Sequence, residues 1–177
     1  MVPLAAVALT AGCSSLRLHR ASEAYYLEGA EAALAQLESA ALDPADHGLL
    51  DLERAMALVE LGRYQAALEL LDRAAARLDA TPDPWAVRTA EGFYLGEHHE
   101  RVMARTLAVV AALALQDVEG AADRATRVVD EIAAGGCADC DLDFPRAVAA
   151  LALEAAGRRA AAAAAVAPGV DRASFLA

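Results

Sequence analysis

Residues Leu61-Gly62-Arg63-Tyr64 separate two stretches that each repeat apolar side chains at helical spacing. This junction constrains the fold more than any other part of the chain. After it, Ala67, Leu71, Ala74 and Leu78 fall at i, i+4, i+7 and i+11, one stripe on a helix. Before it, Leu52, Ala55, Met56 and Val59 predict the facing stripe of a first helix. Glycine readily takes the left-handed backbone conformation that ends a helix, so Gly62 is placed to stop the first helix and turn the chain back. The product is an antiparallel helical hairpin. In an array of such hairpins, each leaves an apolar face for the next to cover.

The arrangement recurs. Glu28-Gly29-Ala30-Glu31-Ala32-Ala33-Leu34 leads to Leu37 and Ala40, with Asp43-Pro44 closing the helix. Gln116-Asp117-Val118-Glu119-Gly120-Ala121-Ala122 continues through Ala125, Val128 and Ile132. Ala155-Ala156-Gly157-Arg158-Arg159-Ala160 opens an alanine run to Ala165, read as a plain terminal helix. Taking Ala33, Ala67, Ala121 and Ala162 as equivalent, the spacings are 34, 54 and 41 residues. The first spacing is the tetratricopeptide period. The string from Leu61 to Ala74 resembles the central turn and second helix of that repeat. In that resemblance Gly62 and Tyr64 make the turn, and Ala67 is the small residue where the two helices cross. The rival is a non-repetitive helical bundle, whose short helices also place Ala at crossings and Gly at turns. The expected fold is all-α: a tetratricopeptide-like solenoid of about four irregular antiparallel helical hairpins, spanning residues 21–177. Its turns are expected near Gly29, Gly62, Gln116-Asp117 and Gly157. Composition agrees, because 49 of the 177 residues are Ala, the strongest helix former, while β-branched and aromatic residues are scarce.

Residues 80–100 interrupt the regular spacing. Ala80-Thr81-Pro82-Asp83-Pro84-Trp85 is a cluster of helix breakers. A helix from about Glu97 to Leu115 follows, with Val102, Thr106, Val109 and Leu113 along one side. Three strings stand in order: His47-Gly48-Leu49-Leu50-Asp51-Leu52-Glu53, the Gly62–Tyr64 turn, and Tyr94-Leu95-Gly96-Glu97 ahead of Glu100-Arg101-Val102-Met103. Together they resemble an uncharacterised family of bacterial tetratricopeptide-like lipoproteins, over roughly residues 20–132. That resemblance implies the same order of elements and no established biochemical activity. Trp85, Phe93 and Tyr94 concentrate aromatic side chains in a chain that has eight in all. With Glu97, Glu100 and Arg101 they form the expected partner-binding surface, since aromatic and Arg anchors dominate binding hot spots. The alternatives are that Trp85 and Phe93 fill a gap between irregular hairpins, and that Glu100 and Arg101 form a structural ion pair.

At the N-terminus, an apolar run from Val2 leads into Leu9-Thr10-Ala11-Gly12-Cys13-Ser14-Ser15. This resembles the lipobox of a bacterial lipoprotein. The resemblance implies that residues 1–12 are a lipoprotein signal peptide, that Cys13 is lipidated, and that residues 13–20 form a tether. A secretory signal has a basic stretch ahead of its apolar run, so this one is expected to be truncated at its start. Several acyl chains hold a protein stably on a membrane. The expected location is therefore extracytoplasmic and membrane-anchored, at the outer membrane if the source has one.

Two cysteines remain, in Cys137-Ala138-Asp139-Cys140 after Gly135-Gly136. Outside the cytoplasm an even remainder suggests a local disulfide. Free thiols, or a redox or metal role, are the alternatives. Asp139, Asp141 and Asp143 disfavour a reactive thiolate, which wants positive charge nearby. A zinc site needs four ligands, and no second C-x-x-C or H-x-x-x-H is present. His98-His99 reads as a surface helix start, because adjacent helical residues point about 100° apart. No nucleophile constellation, phosphate loop or cofactor motif is visible, so the chain is read as no enzyme, with no metal and no cofactor. The net charge is −11, with Arg spread along the chain, which argues against a nucleic-acid partner. The function expected is a protein–protein interaction scaffold of the cell envelope, with a protein or peptide partner. The alternative is a small-ligand- or peptide-binding accessory subunit of an envelope transporter.

Overall fold

The computed structural model describes residues 14–40, 47–79, 98–135 and 142–166. Among them the fold is all-α. In chain order the helices are α1 (Ser14–Glu28), α2 (Ala30–Ser39), α3 (His47–Glu60), α4 (Tyr64–Asp79), α5 (His98–Ala114), α6 (Val118–Ala134), α7 (Asp143–Ala155) and α8 (Arg159–Ala165). Each packs on its neighbours in sequence, and α5 also touches α3 and α7.

Three of the four expected turns share one construction. Gly62, Gln116 and Gly157 have φ of 68°, 61° and 73°. The amide of each donates to the carbonyl three residues back (Val59, Leu113, Glu154). The next amide donates to the carbonyl five back (Leu58, Ala112, Leu153), and all six bonds are 2.8 to 3.0 Å. These bonds satisfy carbonyls that a helix end otherwise leaves without partners. The turn at Gly29 differs. A single residue with φ 97° joins α1 to α2, and its amide is shared between the carbonyls of Ala24 and Tyr25.

Past each turn, an alanine amide makes an early helical bond to the residue that precedes the second helix. Ala33 bonds to Gly29, Ala67 to Arg63, Ala121 to Asp117 and Ala162 to Arg158. All four alanines are buried. A methyl group is all that such a crossing accommodates, and the sequence equivalence of these four positions is therefore also a structural one.

The main core cluster runs from α3 to α8. Val102, Thr106 and Val109 are buried in it as predicted, with Leu113 half-buried. The Thr106 hydroxyl is satisfied by donating to the Val102 carbonyl at 2.7 Å. Ala67, Leu71 and Ala74 are also buried as predicted, while the side chain of Leu78 lies outside those described. Two smaller clusters hold the N-terminal part. Ala30, Leu34, Ala57, Leu58 and Ala67 join α2 to α3 and α4. Ala21, Leu37 and Leu50 join α1 to α2 and α3.

The stripe expected on α3 is out of phase. Met56 is 53% exposed, and Leu52 and Val59 are only half-buried. The buried face is instead Leu50, Asp51, Ala55, Ala57 and Leu58. Ala55 is buried as predicted, but the helix is otherwise rotated by about one residue, so Leu50, Asp51, Ala57 and Leu58 meet the neighbours. Asp51 is tolerated on that face because Arg73 and Arg77 of α4 reach its two carboxylate oxygens at 3.4 and 3.2 Å.

Candidate functional site

Because the turns at Gly62, Gln116 and Gly157 are alike, positions on α3, α5 and α7 can be counted back from them. Four and five residues before the turn residue all three helices are buried: Leu58 and Ala57, Ala112 and Ala111, Leu153 and Ala152. The opposite face lies two, six, nine and thirteen residues before it. Those steps keep to one side of a helix. On α5 these positions are Met103, Leu107, Val110 and Ala114, of which Met103 and Ala114 are exposed and Leu107 packs against the core. On α7 they are Phe144, Val148, Leu151 and Ala155, exposed except for Val148, which packs against the core. Neither helix has a charge there. Met103 is 36%, Phe144 50% and Leu151 55% exposed. On α3 the same face alternates Leu49, Glu53, Met56 and Glu60.

Contact between hairpins repeats in the same register. Arg63 reaches back to Glu31 of α2 at 2.8 Å, and Arg158 to Glu119 and Asp123 of α6 at 2.8 Å each. Arg63 and Arg158 are equivalent turn positions. Glu31 and Glu119 are equivalent too, each two residues past the residue that precedes its helix. Exposed pairs of this kind contribute little stability. They recur at two of the three junctions, since the position equivalent to Arg63 and Arg158 after Gln116 is Asp117.

The outward row ends near two carboxylates. Glu53 of α3 is half-buried, and loss of hydration raises its carboxyl above the usual value, with a smaller push from Glu100 of α5. Glu60 accepts a hydrogen bond from the Tyr25 hydroxyl of α1.

A separate charged cluster ties the two ends of segment 80–97. Arg105, 8% exposed, bonds to Asp79 at the end of α4 and to Glu131 of α6 at 3.2 Å. Glu131 also accepts from Arg101 at 2.9 Å and lies 3.9 Å from His98. The Arg101 fork spans the Glu131 carboxylate, whereas Arg105 bridges Glu131 and Asp79, and such multiply bonded guanidinium groups suit a desolvated site.

The predicted site residues therefore divide. Arg101 is turned onto Glu131, so the ion pair found for it is with α6. Glu100 lies near Glu53, on the other side of the α5 start. His98, expected at a surface, is mostly covered beside Glu131. Cys13, Trp85, Phe93, Tyr94, Glu97, Cys137 and Cys140 lie outside the described residues. Met56 also falls in the core stripe expected on α3, and only the register counted back from the three turns places it with the exposed residues. Among the described residues no helix is long and apolar enough to cross a membrane. Comparison with family models, curated proteins and solved structures gave no match.

Proposed function

We propose that this chain is a lipid-anchored, extracytoplasmic, tetratricopeptide-like solenoid that acts as a protein–protein interaction scaffold in the bacterial cell envelope. The observation that carries the reading is the common register of three consecutive hairpins. They share one turn construction, one buried alanine and one pattern of burial on the first helix. Repetition of a single hairpin contact is what builds a solenoid, and solenoids present long surfaces to extended partners. Exposed Met103, Phe144 and Leu151 on two helices that touch support the same reading, because exposed apolar surface marks interaction sites. The anchor rests on the Leu9-to-Ser15 string and the location on the anchor.

Two measurements test this. With an upstream start supplied, intact mass should show acylated Cys13 and the protein should partition with membranes. An unmodified, soluble product would remove the anchor. Affinity capture from membranes, with partners identified by mass spectrometry, should yield a protein whose recovery falls in Tyr94→Ala without a matching fall in melting temperature. Absence of any reproducible partner for the wild-type chain would sink the scaffold.

A further inference from the structure

We propose that α1 lies along the surface of a phospholipid bilayer, with Tyr26 and Leu27 as a second point of contact beyond the lipid on Cys13. The inference rests on the anchor proposed above and adds how the domain sits on its membrane.

Tyr26 is 81% and Leu27 82% exposed, near the C-terminal end of α1. Among the described residues no other large apolar side chain is more than 55% exposed. The two are neighbours in the chain, and the Tyr25 ring meets that of Tyr26 edge-on, with centroids 5.5 Å apart. The Tyr25 hydroxyl donates to Glu60 of α3, which ties that ring to the body of the domain. Single exposed apolar residues are ordinary on a surface, whereas an adjoining group of them marks a contact.

The rest of the helix face suits the headgroup region. α1 turns Ala21 and Ala24 inward, and Ala21 packs with Leu37 and Leu50. Its other side runs through His19, Arg20, Glu23, Tyr26 and Leu27, all exposed, in steps of three and four residues. Glu23 is the one carboxylate among these five, and it lies 3.5 Å from His19. A chain of net charge −11 thus presents here a side with no excess of negative charge. The Arg20 stem can rest on apolar surface while its guanidinium reaches phosphate. Tyrosine, with an apolar body and a polar tip, is the side chain of the membrane–water boundary.

The position of the anchor selects the occupant. α1 begins at Ser14, the residue after Cys13, so a helix and not a flexible spacer follows the lipid. At 1.5 Å per residue, Leu27 stands about 20 Å along α1 from Ser14. An upright α1 holds Tyr26 and Leu27 that far from the bilayer, and a lying one brings them onto it. By sequence Cys13, Arg20 and Leu27 are seven residues apart, a step that keeps to one side of a helix. The anchor also makes the second contact intramolecular, so a pair of side chains is enough. A second copy has no such tether and brings another −11.

The test places the acylated chain, made with an upstream start, on phosphatidylcholine vesicles with and without bromine on the lipid chains near the headgroup. Bromine quenches tryptophan on contact. Wild type, whose single tryptophan is Trp85, gives the background to subtract. Tyr26→Trp should lose most of its added emission on brominated lipid. Leu151→Trp, exposed on α7, should keep its own. Adding Leu27→Glu to Tyr26→Trp should restore emission while the protein stays on the vesicles. All three positions are exposed, so melting temperatures should not change. Unquenched Tyr26→Trp in the acylated, vesicle-bound chain overturns the proposal and leaves the anchor standing. Equal quenching of Leu151→Trp, or quenching that survives Leu27→Glu, overturns it too. So does sedimentation in detergent showing a dimer that Tyr26→Ser dissociates, which assigns the face to a second copy. An intact mass with unmodified Cys13 removes the anchor and this contact together.

Discussion

Gln116 holds a left-handed backbone conformation that costs a residue with a side chain roughly 1–2 kcal/mol, whereas the equivalent Gly62 and Gly157 hold it freely. Gln116→Gly should therefore stabilise the protein. Part of the relief is lost because glycine also frees the unfolded chain, leaving a gain of about 0.5–1 kcal/mol. Gly62→Ala should cost about 1 kcal/mol by the same argument in reverse. Midpoints of urea unfolding check both, and a destabilised Gln116→Gly would show that its side chain has a role the turn does not reveal. The next residue adds a second test. Asp117 caps α6, accepting from the Gly120 amide at 3.0 Å, and a Cβ on Gly120 would lie 2.0 Å from its carboxylate. Gly120→Ala gains about 1 kcal/mol in helix propensity and loses about as much in capping, so it should be near neutral alone. In Asp117→Ala, where the cap is already gone, the same change should show its full gain. Additive effects across that cycle would mean the carboxylate simply moves aside. This turn was legible without a glycine because the stripes on either side of it placed it. The left-handed conformation at Gln116 was not legible, since nothing local marks it.

At the scale of helices, periodicity was read well where one face is apolar and poorly where two are. The stripe of α5 is buried where Val102, Thr106 and Val109 predict it. On α3, Met56 and Val59 compete with Ala57 and Leu58 for the core, and Ala57 and Leu58 are the pair that packs on α2 and α4. Ala67 sits at such a crossing, fully buried, so Ala67→Leu should overpack it and cost roughly 1–3 kcal/mol. An unchanged melting temperature would deny the close approach. The α4–α5–α6 charge cluster had no signal at all, because Arg105 meets Asp79 and Glu131 each 26 residues away. Arg105→Ala strips a buried cation from both carboxylates and should cost about 3 kcal/mol, the range for breaking a buried pair. Arg101→Ala should cost less, since Glu131 keeps Arg105. Glu53 gives a pH test. Its folded-state carboxyl is raised above the usual 4.5, so ionising it opposes folding. That opposition is complete above the raised value and vanishes as pH falls below the unfolded one. Glu53→Gln should therefore stabilise the protein at pH 7, with the gain disappearing below about pH 4. A gain that persists in acid would assign it to packing.

For the whole molecule, the positions of the hairpins were legible and the surface they present was not. The reason is physical. A turn and its flanking stripes are local, while an outward face has meaning only once the register between hairpins is known. The same register makes a claim about energetics. In a solenoid each hairpin is stabilised by its neighbours alone, and terminal hairpins have one neighbour where the rest have two. The first hairpin here is held through the two small clusters around Ala30 and Ala21, while the large cluster begins at α3. Amide hydrogen exchange should accordingly show protection rising from α1 and α2 to the internal hairpin of α5 and α6. Ala33→Leu sharpens the test, because Ala33 is buried at the crossing of that first hairpin. Overpacking there should abolish protection in α1 and α2 while leaving α5 to α7 within a few-fold of their original rates. In a single cooperative bundle the substitution would lower protection by the same factor in every helix. Uniform loss would therefore refute the nearest-neighbour architecture on which the scaffold reading depends, even if each helix keeps its place.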